Sequence, residues 1–116
     1  MTAAAPDLDH AEDFYTALLG RRALKRFDPP GLLFFDLGGV RLLLTPGASP
    51  ATMYLKVENV HVALERIQEF AEVIARPHMI YLHVDDALGP PGHEEWQAFV
   101  RDPFGNTLGL VAFQRV

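Results

Sequence analysis

A chain of 116 residues, 49% of them hydrophobic, is long enough for one domain with a real core and too short for two ordinary ones. Its formal net charge of −5 excludes nucleic acid and anionic membrane surfaces as expected partners, because the sole basic cluster, Arg21, Arg22, Lys25 and Arg26, runs into Asp28 and reads as a solvated edge strand. The absence of cysteine excludes disulfides, zinc thiolate sites and cysteine nucleophiles, and the first residues lack the basic and apolar segments of a secretory signal, so a soluble cytoplasmic protein is expected.

The first element is a strand at about residues 2–5, curtailed because a helix cap follows almost at once: either short and weakly held, or missing. Asp7 can accept hydrogen bonds from the unpaired N–H groups of a helix start, and Leu8, Ala11, Phe14, Tyr15, Leu18 and Leu19 recur with helical period up to Gly20, a suitable stop. Strands are expected at 23–27, 32–37 and 40–45, separated by Pro29-Pro30-Gly31 and Gly38-Gly39. Residues 46–50, rich in turn formers, make a linker. A strand at 53–57 leads to a second cap, Asn59, and a second helix with Val60, Ala63, Leu64, Ile67, Phe70 and Ala71 on its apolar face. Strands at 73–76, 96–101 and 107–113 complete the chain. The connection 78–92 is longer than most, and Met79, Ile80, Tyr81 and Leu82 are too apolar for disorder, so it is expected to pack over something.

Sliding residues 3–15 onto 55–67 brings Asp7 to Asn59, Leu8 to Val60, Ala11 to Ala63 and Tyr15 to Ile67. Identity is slight, but each position keeps its role. The chain therefore reads as a single α+β domain, 1–116, made of two strand-helix-strand-strand-strand units: repeat one at 1–46 and repeat two at 51–116.

Arg101-Asp102-Pro103-Phe104-Gly105-Asn106, set between two apolar strands, has the composition of a tight antiparallel turn. Asp-Pro-x-Gly-Asn followed by a final strand also resembles the signature of the vicinal oxygen chelate superfamily, which includes glyoxalase I, extradiol dioxygenases, and bleomycin and fosfomycin resistance proteins. The resemblance covers nearly the whole chain. It implies that the tandem βαβββ repeats form a curved mixed sheet with a cleft, and it leaves the activity open, since several activities share this fold.

Metal-dependent members of that superfamily take two ligands from each repeat, typically His on the first strand and Glu or His on the last, for a divalent ion that binds adjacent substrate oxygens. By that pattern the second-repeat positions are Thr52 and Gly109, the last strand of the first repeat offers Val40, Arg41, Leu42, Leu43 and Leu44, with Leu42 the best match, and the fourth position falls before Met1. None supplies a carboxylate or imidazole, so no metal and no cofactor is expected. A displaced ligand set would have to come from His78, His83, Asp85, Asp86, His93, Glu94 and Glu95, whose plainer reading is polar residues on a surface loop. His10 and His61, near the helix starts, are expected to face solvent. There is no Gly-rich phosphate loop, no Gly-x-Ser-x-Gly elbow and no His-Glu-x-x-His, and the only serine, Ser49, sits in the linker. Catalytic residues stay unassigned, because a single positioned carboxylate or histidine could still serve as general acid or base.

If the vacant positions face the cleft, alternation places Tyr54 and Lys56 with Thr52, places Thr107, Val111 and Phe113 with Gly109, and places Leu44 with Leu42. Trp96 and Phe99 are further candidates. The expected ligand-binding residues are thus Tyr54, Lys56, Trp96, Val111 and Phe113, an apolar and aromatic surface with one ammonium, suited to a small organic molecule. Three functions fit these observations: a metal-free small-molecule-binding protein; a divalent-metal lyase or dioxygenase with displaced ligands; and a structural homodimer whose cleft is closed by its own side chains. A homodimer is expected in any case, because an open sheet leaves edges uncovered.

Overall fold

The computed structural model describes residues 1–115, so the expected end of the second repeat, Val116, lies outside the described residues. The elements follow the expected order: β1 (Thr2–Ala4), α1 (Leu8–Leu19), β2 (Lys25–Phe27), β3 (Leu32–Asp36), β4 (Arg41–Thr45), β5 (Thr52–Lys56), α2 (Val60–Ile67), β6 (Glu72–Leu82), β7 (His93–Arg101) and β8 (Thr107–Arg115). The strands form two four-stranded sheets, one per repeat, in the equivalent orders β1-β4-β3-β2 and β5-β8-β7-β6. In each, the outermost pair next to the linker is parallel and the others are antiparallel. This is the tandem βαβββ arrangement that the sequence repeat implies.

Both helices start as their caps dictate. Asp7 accepts the His10 N–H and Asn59 accepts those of His61 and Val62, while Gly20 ends α1 in the left-handed conformation. Leu8, Ala11, Phe14, Tyr15 and Leu18 of α1 join Val60, Ala63, Leu64 and Ile67 of α2 in one core. Strands β3, β4, β5, β7 and β8 add alternate residues: Leu33 and Phe35, Leu42 and Leu44, Met53 and Leu55, Ala98 and Val100, and Leu108, Leu110 and Ala112. Each sheet thus has a face turned to the helices and a face free of them. Helix α2 stops at Ile67, short of the expected Ala71, and Phe70 is exposed.

The Asp-Pro-x-Gly-Asn turn ties the two repeats together. One oxygen of Asp102 accepts the backbone N–H groups of Phe104 and Asn106; the other accepts from the Tyr15 hydroxyl and the Asn106 amide. Asn106, with no exposed surface, accepts through Oδ1 from the N–H groups of Ala4 and Ala51 and donates through Nδ2 to the Ala4 carbonyl at 2.7 Å. The side chain therefore joins β1, the linker and the β7–β8 turn, and Tyr15 brings α1 into the same network. This explains how a three-residue β1 persists: it is paired with β4 on one side and held by Asn106 as well. Burial, and then the neighbouring Asp102 charge, push the Tyr15 hydroxyl pKa far above its ordinary value.

The connection expected at 78–92 is strand over its first third. Residues 78–82 continue β6, which pairs with β7 across register shifts, and only residues 83–92 form the hairpin tip. Pro77 is tolerated because β6 is an edge strand and the proline falls between Ala75 and His78, at one of those shifts, where no ladder N–H is needed. No helix among the described residues is long and apolar enough to cross a membrane.

Candidate functional site

On β5, Met53 and Leu55 point into the core, leaving Thr52, Tyr54 and Lys56 on the helix-free face. Parallel pairing sets Thr52 beside Thr107, Tyr54 beside Gly109 and Lys56 beside Val111. Antiparallel pairing sets Phe99 beside Gly109, Gln97 beside Val111 and Glu95 beside Phe113. Directly paired residues share a face. Four of the five expected ligand-binding residues, Tyr54, Lys56, Val111 and Phe113, therefore come together, with Phe99 and Gln97 between them.

Trp96 does not join them. It pairs with Ala112 on the helix-facing side of β7, donates from Nε1 to Glu94, and packs with its ring centroid 5.6 Å from that of His61. A strand alternates every residue, so a one-residue difference in register exchanges the faces. Leu42 and Leu44 are corrected for the same reason: both are fully buried in the core. Thr2 pairs with Leu43 in the first sheet as Tyr54 pairs with Gly109 in the second, so Leu43 is the counterpart of Gly109. It too lacks a donor atom in its side chain.

Gly109 is where the face is most tightly built. A Cβ added there would lie 2.6 Å from Cδ1 of Tyr54 and 3.0 Å from Cε1 of Phe99. The two rings meet edge to face over the glycine, with centroids 5.9 Å apart and planes at 87°. The space that a ligating side chain would need at position 109 is thus filled by an aromatic pair. Further along, the Lys56 ammonium stands 5.5 Å from the centre of the Phe113 ring.

His83, expected on the surface, is instead 2% exposed. Its ring stacks edgewise against Phe113 and Tyr81, and its Nε2 lies 2.9 Å from Oε1 of Glu95. A carboxylate can only accept, so Nε2 carries the proton. The other Glu95 oxygen accepts from Gln97 at 2.6 Å. The hairpin tip folds back here: a Cβ at Gly89 would come within 2.8 Å of Phe113 and 3.0 Å of His83. The tip therefore forms an end wall to the face. Met79, Ile80, Tyr81 and Leu82, expected to pack, are instead exposed, and the pairing of His83 with Glu95 required knowing that β6 and β7 extend this far.

The residues do not fit a metal ion. Among the described residues no three His, Asp or Glu side chains converge on a possible ion position. His78 and His93 bond to the carbonyls of Arg76 and Pro91, and His83 is committed to Glu95. His10 and His61 are exposed, as expected. A cavity of about 590 Å³ lies beside the face, across the unpaired edge of β5 and between the two repeats; Tyr54 and Lys56 border both.

Comparison with known proteins agrees with this architecture. No curated protein matches the sequence. A glyoxalase/bleomycin resistance protein from Albidiferax ferrireducens superposes with a TM-score of 0.71 at 18% identity, over 97% of this chain and 95% of that one. TioX from Micromonospora sp. ML1 gives 0.67 at 20% identity (97% and 92%), and lactoylglutathione lyase from Agrobacterium tumefaciens gives 0.64 at 21% (97% and 90%). At such identities these structures show the fold alone. The model of the Glyoxalase/Bleomycin resistance protein/Dioxygenase superfamily matches residues 1–110, and with the paired repeats and the Asp102–Asn106 turn this shows that the chain belongs to that superfamily.

Proposed function

We propose that this protein binds a small organic molecule on the helix-free face of its second sheet without a resident metal. The observation that supports this reading most is the Tyr54–Phe99 pair lying over Gly109. It puts an aromatic platform where metal-dependent relatives are expected to carry a ligand, and it leaves Tyr54 60% exposed and able to stack. In this reading Tyr54 stacks on the flat part of the bound molecule, Lys56 pairs with an anionic or carbonyl oxygen, and Val111, Phe99 and Phe113 supply an apolar floor.

The protein acts as a homodimer in this proposal. The face is open to solvent, and β6 is an eleven-residue edge strand with Met79, Ile80, Tyr81 and Leu82 exposed, surface that a second copy would cover. The test is a thermal-shift screen of aromatic and glycopeptide compounds in EDTA, repeated on Tyr54→Ala and Lys56→Ala. Hits weakened by roughly 1–3 kcal/mol in Tyr54→Ala support the reading. Hits indifferent to both variants, or appearing only with added divalent metal, refute it.

A further inference from the structure

We infer that the cavity between the two repeats is a second binding site, for an amphipathic organic anion. Its volume of about 590 Å³ falls within the range of small-molecule pockets. Leu18, Leu37, Val40 and Val62 give it apolar walls drawn from α1, the β3–β4 hairpin and α2.

The charges at its rim run against those of the whole protein. Acidic residues outnumber basic ones by 15 to 10 over the chain, yet Arg21, Lys56 and Arg66 line the cavity beside a single carboxylate, Glu58. Among the described residues, two of the six arginines outside the cavity are in ion pairs. Arg26 is bound to Asp9, Glu12 and Asp28, and Arg101 to Glu72. Among the described residues none of the three cavity cations is in an ion pair; Arg21 is held by the Asp36 carbonyl at 2.9 Å, a bond that positions the guanidinium without neutralising it. Arg66 crosses from α2 to the end of α1, where Gly20 makes room for it: a Cβ there would sit 3.3 Å from Nη1.

The backbone adds donors. In the parallel ladder Val57 donates to Val111, and Ala51 accepts from Thr107, so the odd-numbered residues of β5 face β8. The N–H groups of Tyr54 and Lys56 then point to the unpaired edge that borders the cavity. Apolar walls with a cationic, N–H-bearing rim fit a carboxylate or sulfonate carrying an apolar ring or chain. This site differs from the sheet face proposed above in everything but the two β5 residues they share.

The experiment is a fluorescence titration with 8-anilinonaphthalene-1-sulfonate, an aromatic anion that brightens in apolar surroundings. Saturable binding is expected, weakened about tenfold or more by Arg66→Glu and by Val62→Asp, both on the exposed surface of α2, and left unchanged by the charge control Lys25→Glu. Decanoate should displace the probe and decyltrimethylammonium should not. Binding that ignores Arg66→Glu and Val62→Asp, or equal displacement by the cationic amphiphile, would overturn the assignment. A loss caused instead by Phe113→Ala would overturn it too, by placing the probe on the sheet face.

Discussion

Replacing Gly109 by alanine should set the new methyl group against Tyr54, and a double-mutant cycle with Tyr54→Ala should expose that conflict. Carbon atoms pack best at about 3.5–4.0 Å. The new Cβ would stand 2.6 and 2.8 Å from two ring atoms of Tyr54, so the ring must leave. It is partly exposed and can swing out. The loss is then its edge-to-face contact with Phe99, about 0.5–1.5 kcal/mol, together with the buried part of the ring, for a total of roughly 1–2 kcal/mol. Gly109 does not have positive φ, so alanine is free of backbone strain there and gains about 0.4–1 kcal/mol from a less flexible unfolded chain. That gain enters both arms of the cycle and cancels. In the Tyr54→Ala background only the 3.0 Å approach to Phe99 remains. The cycle, measured by urea denaturation, should therefore show a coupling near 1 kcal/mol, outside the roughly 0.3–0.5 kcal/mol of additive sites. Additive effects, or a Gly109→Ala variant as stabilising with Tyr54 as without it, would refute the idea that an aromatic pair occupies this position.

Other outcomes follow from the same structure. Asn106→Ala leaves the N–H groups of Ala4 and Ala51 and the Ala4 carbonyl without their buried partner, and should cost about 3 kcal/mol or more by denaturant unfolding, against about 1.5–3 for Tyr15→Phe. Because the folded Tyr15 pKa is raised, its contribution is intact below the ordinary tyrosine value near 10 and lost as pH climbs beyond it; above that pH, wild-type stability should fall about 1.4 kcal/mol per unit more steeply than that of Tyr15→Phe. His83→Ala removes the partner of Glu95 and the support for the hairpin tip, so amide exchange in residues 83–93 should accelerate while that of α1 does not. Elemental analysis of protein purified without chelator should find well under one divalent metal per chain.

Helices and strands were legible because their apolar periods agree with their caps and turns, most plainly at Asp7 and Asn59. Faces were harder to read. The spacing that aligns the helix caps does not carry to the last strands, because the stretches between helix and final strand differ in length; only the pairing of Thr2 with Leu43 distinguishes Leu43 from Leu42 as the counterpart of Gly109. Trp96 shows the same sensitivity. Pro77 hides the continuation of β6 beyond residue 76, since its toleration depends on lying at an edge and at a register shift, both tertiary facts. The cap-like chemistry of Asp102 and Asn106 could be foreseen as a turn; that Asn106 would hold β1 from 102 residues away could not.

The central claim is that the helix-free face of the second sheet binds an organic molecule without metal. A protein-observed ¹⁵N–¹H NMR titration in EDTA, using the aromatic compounds that shift the melting temperature, tests it most directly. Amides of Tyr54, Lys56, Gly109, Val111 and Phe113 should move together and saturate. Shifts confined to other elements, or appearing only when Zn²⁺, Mn²⁺ or Ni²⁺ replaces the chelator, would contradict the account.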